Sequence, residues 1–198
     1  MCRKRQGAVP DSRTIRTMRR TRLLQLACGG CAALASLVLT RDSVSAQDVT
    51  EPALKAAFIF NFAKFTEWPP DAASAEETFV LCVVGDAAVG DALAEAVKAR
   101  VLAGHRMSVS SMTAGGPPRK CRVIYMSGVT AGQATQLVAG LQDAPVLTIS
   151  DLEGFTELGG IARFFFEHGQ LRFIVNLKSA ERVHLTMSSR LLALAVRK

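Results

Sequence analysis

Residues 79 to 84, FVLCVV, form an unbroken apolar run that ends in Gly85-Asp86. An apolar run of this length, closed by turn residues, is typical of a strand buried on both faces in the middle of a parallel sheet. Parallel neighbours need crossover connections, and residues 87 to 99 supply one with apolar side chains at helical spacing. The run therefore constrains the chain to the α/β class.

The same alternation continues along the chain. Strands are predicted around residues 107 to 110, at 121 to 126 and at 146 to 149, and a helix at 131 to 141. Alternating strands and helices predict a three-layer, mostly parallel, doubly wound sheet. We expect the strand at 79 to 84 to lie between those at 107 to 110 and 121 to 126.

The last third of the chain has a different pattern. Two apolar segments, residues 161 to 167 and 170 to 176, flank His168-Gly169 and predict an antiparallel hairpin. Pairing Glu167 with Gln170 across this turn places Phe166 opposite Leu171 and Phe164 opposite Phe173 on a face that we expect to be core. A terminal helix is predicted from residue 178 to about residue 196.

A basic cluster at Arg19, Arg20 and Arg22 precedes an apolar run at residues 23 to 39. Small residues follow at 44 to 46, where a signal peptidase would cut. The pattern is typical of a secretion signal. An uncleaved membrane anchor stays open as an alternative, because an apolar run of this length is near the lower limit for spanning a bilayer.

The leader divides the chain into two parts. Residues 1 to 46 are predicted to be the leader, and residues 1 to 17 are a gene-model extension if Met18 is the true start. Residues 47 to 198 are long enough for a single domain with a large core. We expect this domain to be exported and not to span the membrane once the leader is cleaved.

Charge argues against a nucleic-acid partner. The formal net charge of the chain is +7, but the leader holds 9 of its 24 basic residues and 2 of its 17 acidic ones. The remaining chain has 15 of each and is neutral on balance. The basic surface that nucleic-acid binding requires is therefore not expected.

Two of the five cysteines, Cys82 and Cys121, lie after the leader. They fall on strands that are predicted to be neighbours, and paired thiols in an oxidising compartment normally form a disulfide. We expect one bridge between them. Two unpaired buried thiols are the alternative interpretation.

A helix is predicted at residues 53 to 67, after the start signal Thr50-Glu51-Pro52. Its apolar residues surround most of its circumference, which indicates burial on more than one side. Either all of them are core, or a second face is covered by a partner or a second subunit. The candidate interface residues on this helix and on the hairpin are Lys55, Phe58, Asn61, Phe62, Phe65, Trp68, Phe165 and Arg172.

Catalytic and metal-binding patterns are weak. His184 and Ser188 are four residues apart, but a surface histidine beside a serine is the simpler interpretation. The histidines share no metal-ligand spacing, and Gly85-Asp86 lacks the lysine of a phosphate-binding loop. We therefore expect no enzyme activity, no metal and no cofactor.

The carboxyl ends of the predicted strands bring together Asp86, Ser127 and Asp151. An open α/β sheet binds small ligands at this edge, so these residues define a possible ligand crevice. Asp86 is also placed to cap the following helix, and that simpler role is favoured.

Several motifs together resemble one family. They are LKAAFIFNFAKFTEWP at 54–69, CVVGD at 82–86, LTISD at 147–151, GGI at 159–161, FIVN at 173–176 and LTMSSRLL at 185–192. In this order they are similar to the YfiR-like family of periplasmic proteins, over nearly all of the chain after the leader.

The resemblance implies a periplasmic regulator. Such proteins bind the periplasmic sensor domain of an inner-membrane diguanylate cyclase and repress it, which lowers cyclic di-GMP and biofilm formation. The resemblance also implies a homodimer and carries a bridge over to Cys82 and Cys121. The alternative function is a periplasmic small-molecule binding module that serves a histidine kinase or transporter.

Overall fold

The central strands are short and strongly apolar, and they assemble as the sequence pattern predicts. The computed structural model describes residues 49–70, 78–116, 120–141 and 144–196. The helices are α1 (Glu51–Lys64), α2 (Ala87–Val97), α3 (Ala131–Ala139), α4 (Leu177–Arg182) and α5 (Ser189–Leu192). The strands are β1 (Thr66–Glu67), β2 (Thr78–Val84), β3 (Val101–Leu102), β4 (His105–Met112), β5 (Cys121–Met126), β6 (Leu147–Ser150), β7 (Ala162–Glu167), β8 (Gln170–Val175) and β9 (Thr186–Met187).

The main sheet has seven strands in the order β3-β4-β2-β5-β6-β7-β8. Strands β4, β2, β5, β6 and β7 run parallel, and β3 and β8 are antiparallel additions at the two edges. The mostly parallel α/β fold is confirmed, and β2 lies between β4 and β5 as predicted. The edge strand β3 was not predicted, because two residues show no periodicity.

Each face of the sheet packs against its own layer of the chain. On one face, α1 and α2 bury Ile59, Phe62, Val89 and Leu93, each with no exposed surface, against the sheet. On the other face, α3 covers a second cluster that includes Ile124. Both faces of the sheet are therefore covered by helices and shielded from water, which is why the central strands are continuously apolar.

The turn from β2 into α2 depends on two residues. Gly85 has a φ of 83°, and a Cβ there would collide with the Ser127 carbonyl oxygen. A larger residue would push the ends of β2 and β5 apart. Asp86 then caps α2, because its Oδ1 accepts a hydrogen bond from Val89 N at 3.0 Å.

Helix α1 begins where the sequence predicts and ends earlier. The Thr50 side chain accepts a hydrogen bond from Ala53 N and forms the cap. The helix stops at Lys64, three residues before the predicted end, because Thr66 and Glu67 pair with Met187 and Thr186 in a small antiparallel sheet. The prediction extended the helix to the next prolines and missed this strand.

The hairpin has the predicted register, with Glu167 opposite Gln170 and Phe164 opposite Phe173. His168 and Gly169 both have positive φ, 51° and 76°, as a two-residue hairpin turn requires. The predicted core face is correct at Phe164 and Phe173. It is wrong at Phe166, which is 44% exposed at the turn end of the hairpin.

The single helix predicted from residue 178 to about residue 196 is wrong. Two short helices, α4 and α5, flank β9 instead. Val183, Leu185 and Met187 are all buried, so the apolar period here is two rather than 3.6. His184, between them, has a φ of 57°, which is incompatible with a continuous helix.

The predicted leader at residues 1 to 46 lies outside the described residues. Among those that are described, no helix combines the length and apolar character needed to cross a bilayer.

Candidate functional site

The candidate site residues from the sequence fall into separate regions of the structure. Ser127 and Asp151 meet at the carboxyl edge of the sheet, together with Lys55 from α1. Phe58, Asn61, Phe62 and Phe65 line a groove on the other side of α1. Phe165 lines a cleft beside the first region, and the remaining candidates, Asp86, Trp68 and Arg172, belong to neither region.

The first region is a hydrogen-bonded cluster around Asp151, which we call the Asp151 network. It consists of Glu51, Lys55, Tyr125, Ser127 and Asp151. Asp151 Oδ2 accepts from Lys55 Nζ at 2.8 Å, Ser127 Oγ at 2.8 Å and Tyr125 Oη at 3.0 Å. Lys55 Nζ also lies 2.8 Å from Glu51 Oε1. The network thus ties the first turns of α1 to β5 and to the end of β6.

Burial makes these contacts strongly coupled. The Lys55 side chain is 8% exposed and that of Asp151 is 25% exposed. Burial alone lowers the pKa of Lys55, but the hydrogen bonds to Asp151 and Glu51 outweigh it and raise the pKa above the usual lysine value. Lys55 is therefore a permanent cation inside the fold.

The same contacts act on the pKa values of Asp151 and Tyr125. Burial alone raises the pKa of Asp151, but hydrogen bonds from Lys55 and Ser127 outweigh it and lower the pKa below the usual aspartate value. Burial, followed by the negative charge of Asp151, raises the pKa of the Tyr125 phenol. At neutral pH the network is an ion pair with a neutral phenol, which suits structural support better than proton transfer.

A cleft of about 340 Å³ opens beside the network, between the start of α1 and the hairpin. Its lining includes Glu51, Lys55, Asp151, Phe165 and Phe166. Asp151 Oδ1 accepts no hydrogen bond from the residues that the structure describes. A ligand in the cleft would meet the Asp151 side chain, which is part of the lining.

From the sequence, Ser127 and Asp151 were predicted to lie together, Lys55 was assigned to an interface instead, and Glu51 and Tyr125 were missed. Asp86 does not join them, because its side chain caps α2. Tyr125 was hidden within an apolar strand. Lys55 did carry a signal, since it shares a helical face with the buried Ile59 and Phe62. A lysine in a buried stripe indicates a carboxylate partner elsewhere in the chain.

The second region is an apolar groove of about 210 Å³ between α1 and the segment around α5, which we call the α1 groove. Phe62 forms its floor with no exposed surface, and Phe58 and Phe65 are half-buried walls. Asn61, Arg190 and Leu194 stand at its rim, and Leu194 is 70% exposed. The groove thus has an apolar centre and a polar rim, which is the arrangement found in protein interfaces.

Trp68, Phe165 and Arg172 each contact side chains close to them in the fold. Trp68 packs edge-on against Phe79, with ring centroids 5.0 Å apart. Phe165 pairs with Arg172 across the hairpin, but the guanidinium near its ring is that of Arg163, at 5.3 Å. Arg172 Nε instead lies 3.6 Å from a Glu167 carboxylate oxygen.

Comparison with known proteins identifies the family. The YfiR/HmsC-like family profile matches residues 52–196, which is most of the chain and includes the α1 groove and, apart from Glu51, the Asp151 network. The chain belongs to the YfiR/HmsC-like family. No curated protein matches it.

The YfiR/HmsC-like chain contains the disulfide expected between Cys82 and Cys121, with Cα atoms 5.7 Å apart. The bridge joins the central strands β2 and β5, and both residues are buried, at 3% and 6% exposure. Such a bridge belongs in an oxidising compartment. Its buried position in the sheet favours a structural role.

We next consider metal binding and nucleophilic catalysis in this member of the YfiR/HmsC-like family. Among the described residues, no group of three His, Cys, Asp or Glu side chains could hold a metal ion. Ser188, the candidate nucleophile, uses its Oγ to accept from Arg190 N at 3.3 Å as the cap of α5. Membership of the YfiR/HmsC-like family favours a regulator.

Proposed function

We propose that this chain is a periplasmic regulator that binds the periplasmic sensor domain of an inner-membrane diguanylate cyclase and represses the cyclase. Family membership, the buried disulfide and the leader predicted at residues 1 to 46 support export and regulation. Repression then lowers cyclic di-GMP and biofilm formation.

The α1 groove is the observation that carries the binding part of this proposal. Its walls, Phe58 and Phe65, keep partial exposure in a chain that buries Ile59 and Phe62 completely. Aromatic side chains such as these are enriched at the centres of protein interfaces. The groove therefore offers a site for an apolar segment of the sensor domain.

Repression follows from differential affinity. A regulator shifts the cyclase toward its inactive state only if it binds the sensor domain of that state more tightly. The groove is fixed on one side by α1, which the Asp151 network and the aromatic core hold in place. A preformed groove loses little conformational freedom on binding, which favours such selectivity.

A homodimer is part of the proposal. The hairpin edge with Phe165, Arg172 and the exposed Phe166 gives a second surface, separate from the α1 groove, for self-association. The two surfaces predict that a dimer presents two groove sites to its membrane partner.

The test is a binding measurement with matched variants. The purified protein is titrated by isothermal calorimetry against the isolated periplasmic sensor domains of the inner-membrane diguanylate cyclases of the same organism. Leu194→Glu places a charge at the groove rim and should weaken binding about tenfold or more. Leu177→Glu is the control, because Leu177 is also exposed, at 44%, but does not line the groove.

Two results would contradict the proposal. One is the absence of binding between the protein and the sensor domain at micromolar concentrations. The other is equal loss of affinity with Leu194→Glu and Leu177→Glu, which would remove the groove from the interface.

A second candidate function is a small-molecule binding module for a histidine kinase or transporter. The cleft beside Asp151 supports it, because a charged pair there adjoins the aromatic residues Phe165 and Phe166. A periplasmic metabolite that protects the protein thermally, and loses this effect in Asp151→Asn, would favour this function over repression.

A further inference from the structure

A separate cavity of about 170 Å³ lies between α3, the start of β6 and α4. Its apolar walls include Val138, Leu141, Val146 and Ile161. It does not share a lining residue with the α1 groove or with the cleft beside Asp151. At about 30 Å³ per water molecule, its volume suits a ligand of about five or six heavy atoms.

An unsatisfied hydroxyl lines this cavity. Ser179 is 2% exposed, and its Oγ has no hydrogen-bond partner in the described part of the chain. A buried polar group without a partner costs free energy, so its retention calls for an explanation. A ligand that accepts a hydrogen bond from Ser179 would remove this cost.

The position of Ser179 is fixed by neighbouring bonds. Asn176 caps α4, with Oδ1 accepting from Ser179 N at 3.1 Å. The Asn176 side chain also donates to Thr156 O at 2.9 Å, and its main-chain N donates to Ile161 O at 2.8 Å. The Ser179 N–H is thus bonded and the residue anchored, while its buried hydroxyl is left without a partner among the described residues.

The other polar groups of the lining are also donors. Thr148 is 3% exposed, and its Oγ1 already accepts from Ile161 N at 3.1 Å, which leaves its hydrogen to donate. Arg182 adds a guanidinium from an exposed position. The described residues of the lining include no carboxylate.

We propose that this cavity, which we call the Ser179 pocket, binds a small carboxylate with a short apolar tail. The Ser179 and Thr148 hydroxyls and the Arg182 guanidinium are donors for the carboxylate oxygens. The aliphatic walls cover the tail. The site lies apart from the α1 groove and goes beyond partner binding, since it gives the protein a ligand of its own.

The test uses butyrate as the probe, with the neutral analogues butyramide and 1-butanol, in calorimetry and thermal unfolding of the purified protein. Butyrate should bind saturably and raise the unfolding temperature, and both neutral analogues should bind at least about tenfold more weakly, since charged hydrogen bonds are the stronger ones. Ser179→Ala and Arg182→Gln should each lower the butyrate affinity about tenfold.

Two controls separate binding from folding. Ser179→Ala should fold with equal or greater stability, because it removes an unsatisfied hydroxyl. Lys178→Gln removes a cation from the same helix without altering the pocket lining and should keep the butyrate affinity. The proposal is overturned if butyrate does not bind, if 1-butanol binds equally well, or if Ser179→Ala and Arg182→Gln both keep full affinity.

Discussion

The Asp151 network and the α1 groove both use residues of α1, but they differ in how much of their surface is covered within the chain. In the network, each buried charge has a partner, and Lys55 has two carboxylates. In the groove, the aromatic walls remain half-exposed and Leu194 projects into solvent. One region is closed by internal bonds, and the other is left with apolar surface to bury.

This difference indicates how α1 combines two tasks. Its buried stripe, from Lys55 through Ile59 to Phe62, fixes the helix on the sheet. The half-buried residues beside that stripe pack against the core and keep part of their surface exposed. Substitutions in the sheet and network should therefore cost stability, and substitutions at the groove rim should cost binding.

The largest effect is expected from the disulfide that supports the sheet. The bridge spans 39 residues, so Cys82→Ala with Cys121→Ala should lower the free energy of unfolding by about 4 kcal/mol on the chain-entropy estimate. Urea unfolding of the oxidised protein and the variant measures this change. An equal stability for both would mean that the bridge does not constrain the sheet.

The next effect concerns the network directly. Asp151→Asn leaves Lys55 buried with Glu51 alone and should cost about 3 kcal/mol of stability. Lys98→Met is the matched control, because Lys98 pairs with Glu95 in full solvent exposure and should change stability by at most about 0.5 kcal/mol. Both free energies of unfolding are measured in urea. A similar decrease in the two variants would contradict the prediction that the buried pair stabilises the fold more than the surface pair does.

The pH dependence of stability sharpens the same contrast. The lowered pKa of Asp151 means that its contribution is present above the ordinary aspartate pKa of about 4 and is lost as pH falls through the folded value. The raised pKa values of Lys55 and Tyr125 preserve stability below about pH 10, and that stability is lost at higher pH. The stability difference between the wild type and Asp151→Asn should therefore shrink in acid, and a constant difference from pH 7 to about pH 2 would contradict this.

The smallest stability effect belongs to the groove. Leu194→Glu changes an exposed side chain and should alter the free energy of unfolding by at most about 0.5 kcal/mol. A loss as large as that of Asp151→Asn would show that the groove rim supports the fold. The comparison between the two regions would then fail.

The sheet could be predicted from the sequence because its apolar runs and turn residues agree with one another. The order of β4, β2 and β5, the hairpin register and the Asp86 cap all followed from local pattern. The C-terminal segment could not be predicted in this way. Its strand β9 forms only because β1 is available as a partner, and a helical spacing of apolar residues concealed the period of two.

The candidate sites were predicted less completely for a related reason. Ser127 and Asp151 follow from topology, since the ends of parallel strands meet at one edge. Lys55 joins them from 96 residues away, and only the packing of α1 on the sheet brings it there. The aromatic residues of α1 suggested a second covered face. The rim of the α1 groove at Arg190 and Leu194, however, depends on the C-terminal segment, whose structure was not predicted.

The central proposal is that the α1 groove binds the sensor domain. The decisive measurement is the affinity of the sensor domain for the wild type, Leu194→Glu and Leu177→Glu, with the unfolding free energy of each protein determined in parallel. We predict that Leu194→Glu alone loses about tenfold or more in affinity while all three keep the same stability. Full affinity in Leu194→Glu, or no affinity in the wild type, would contradict the account.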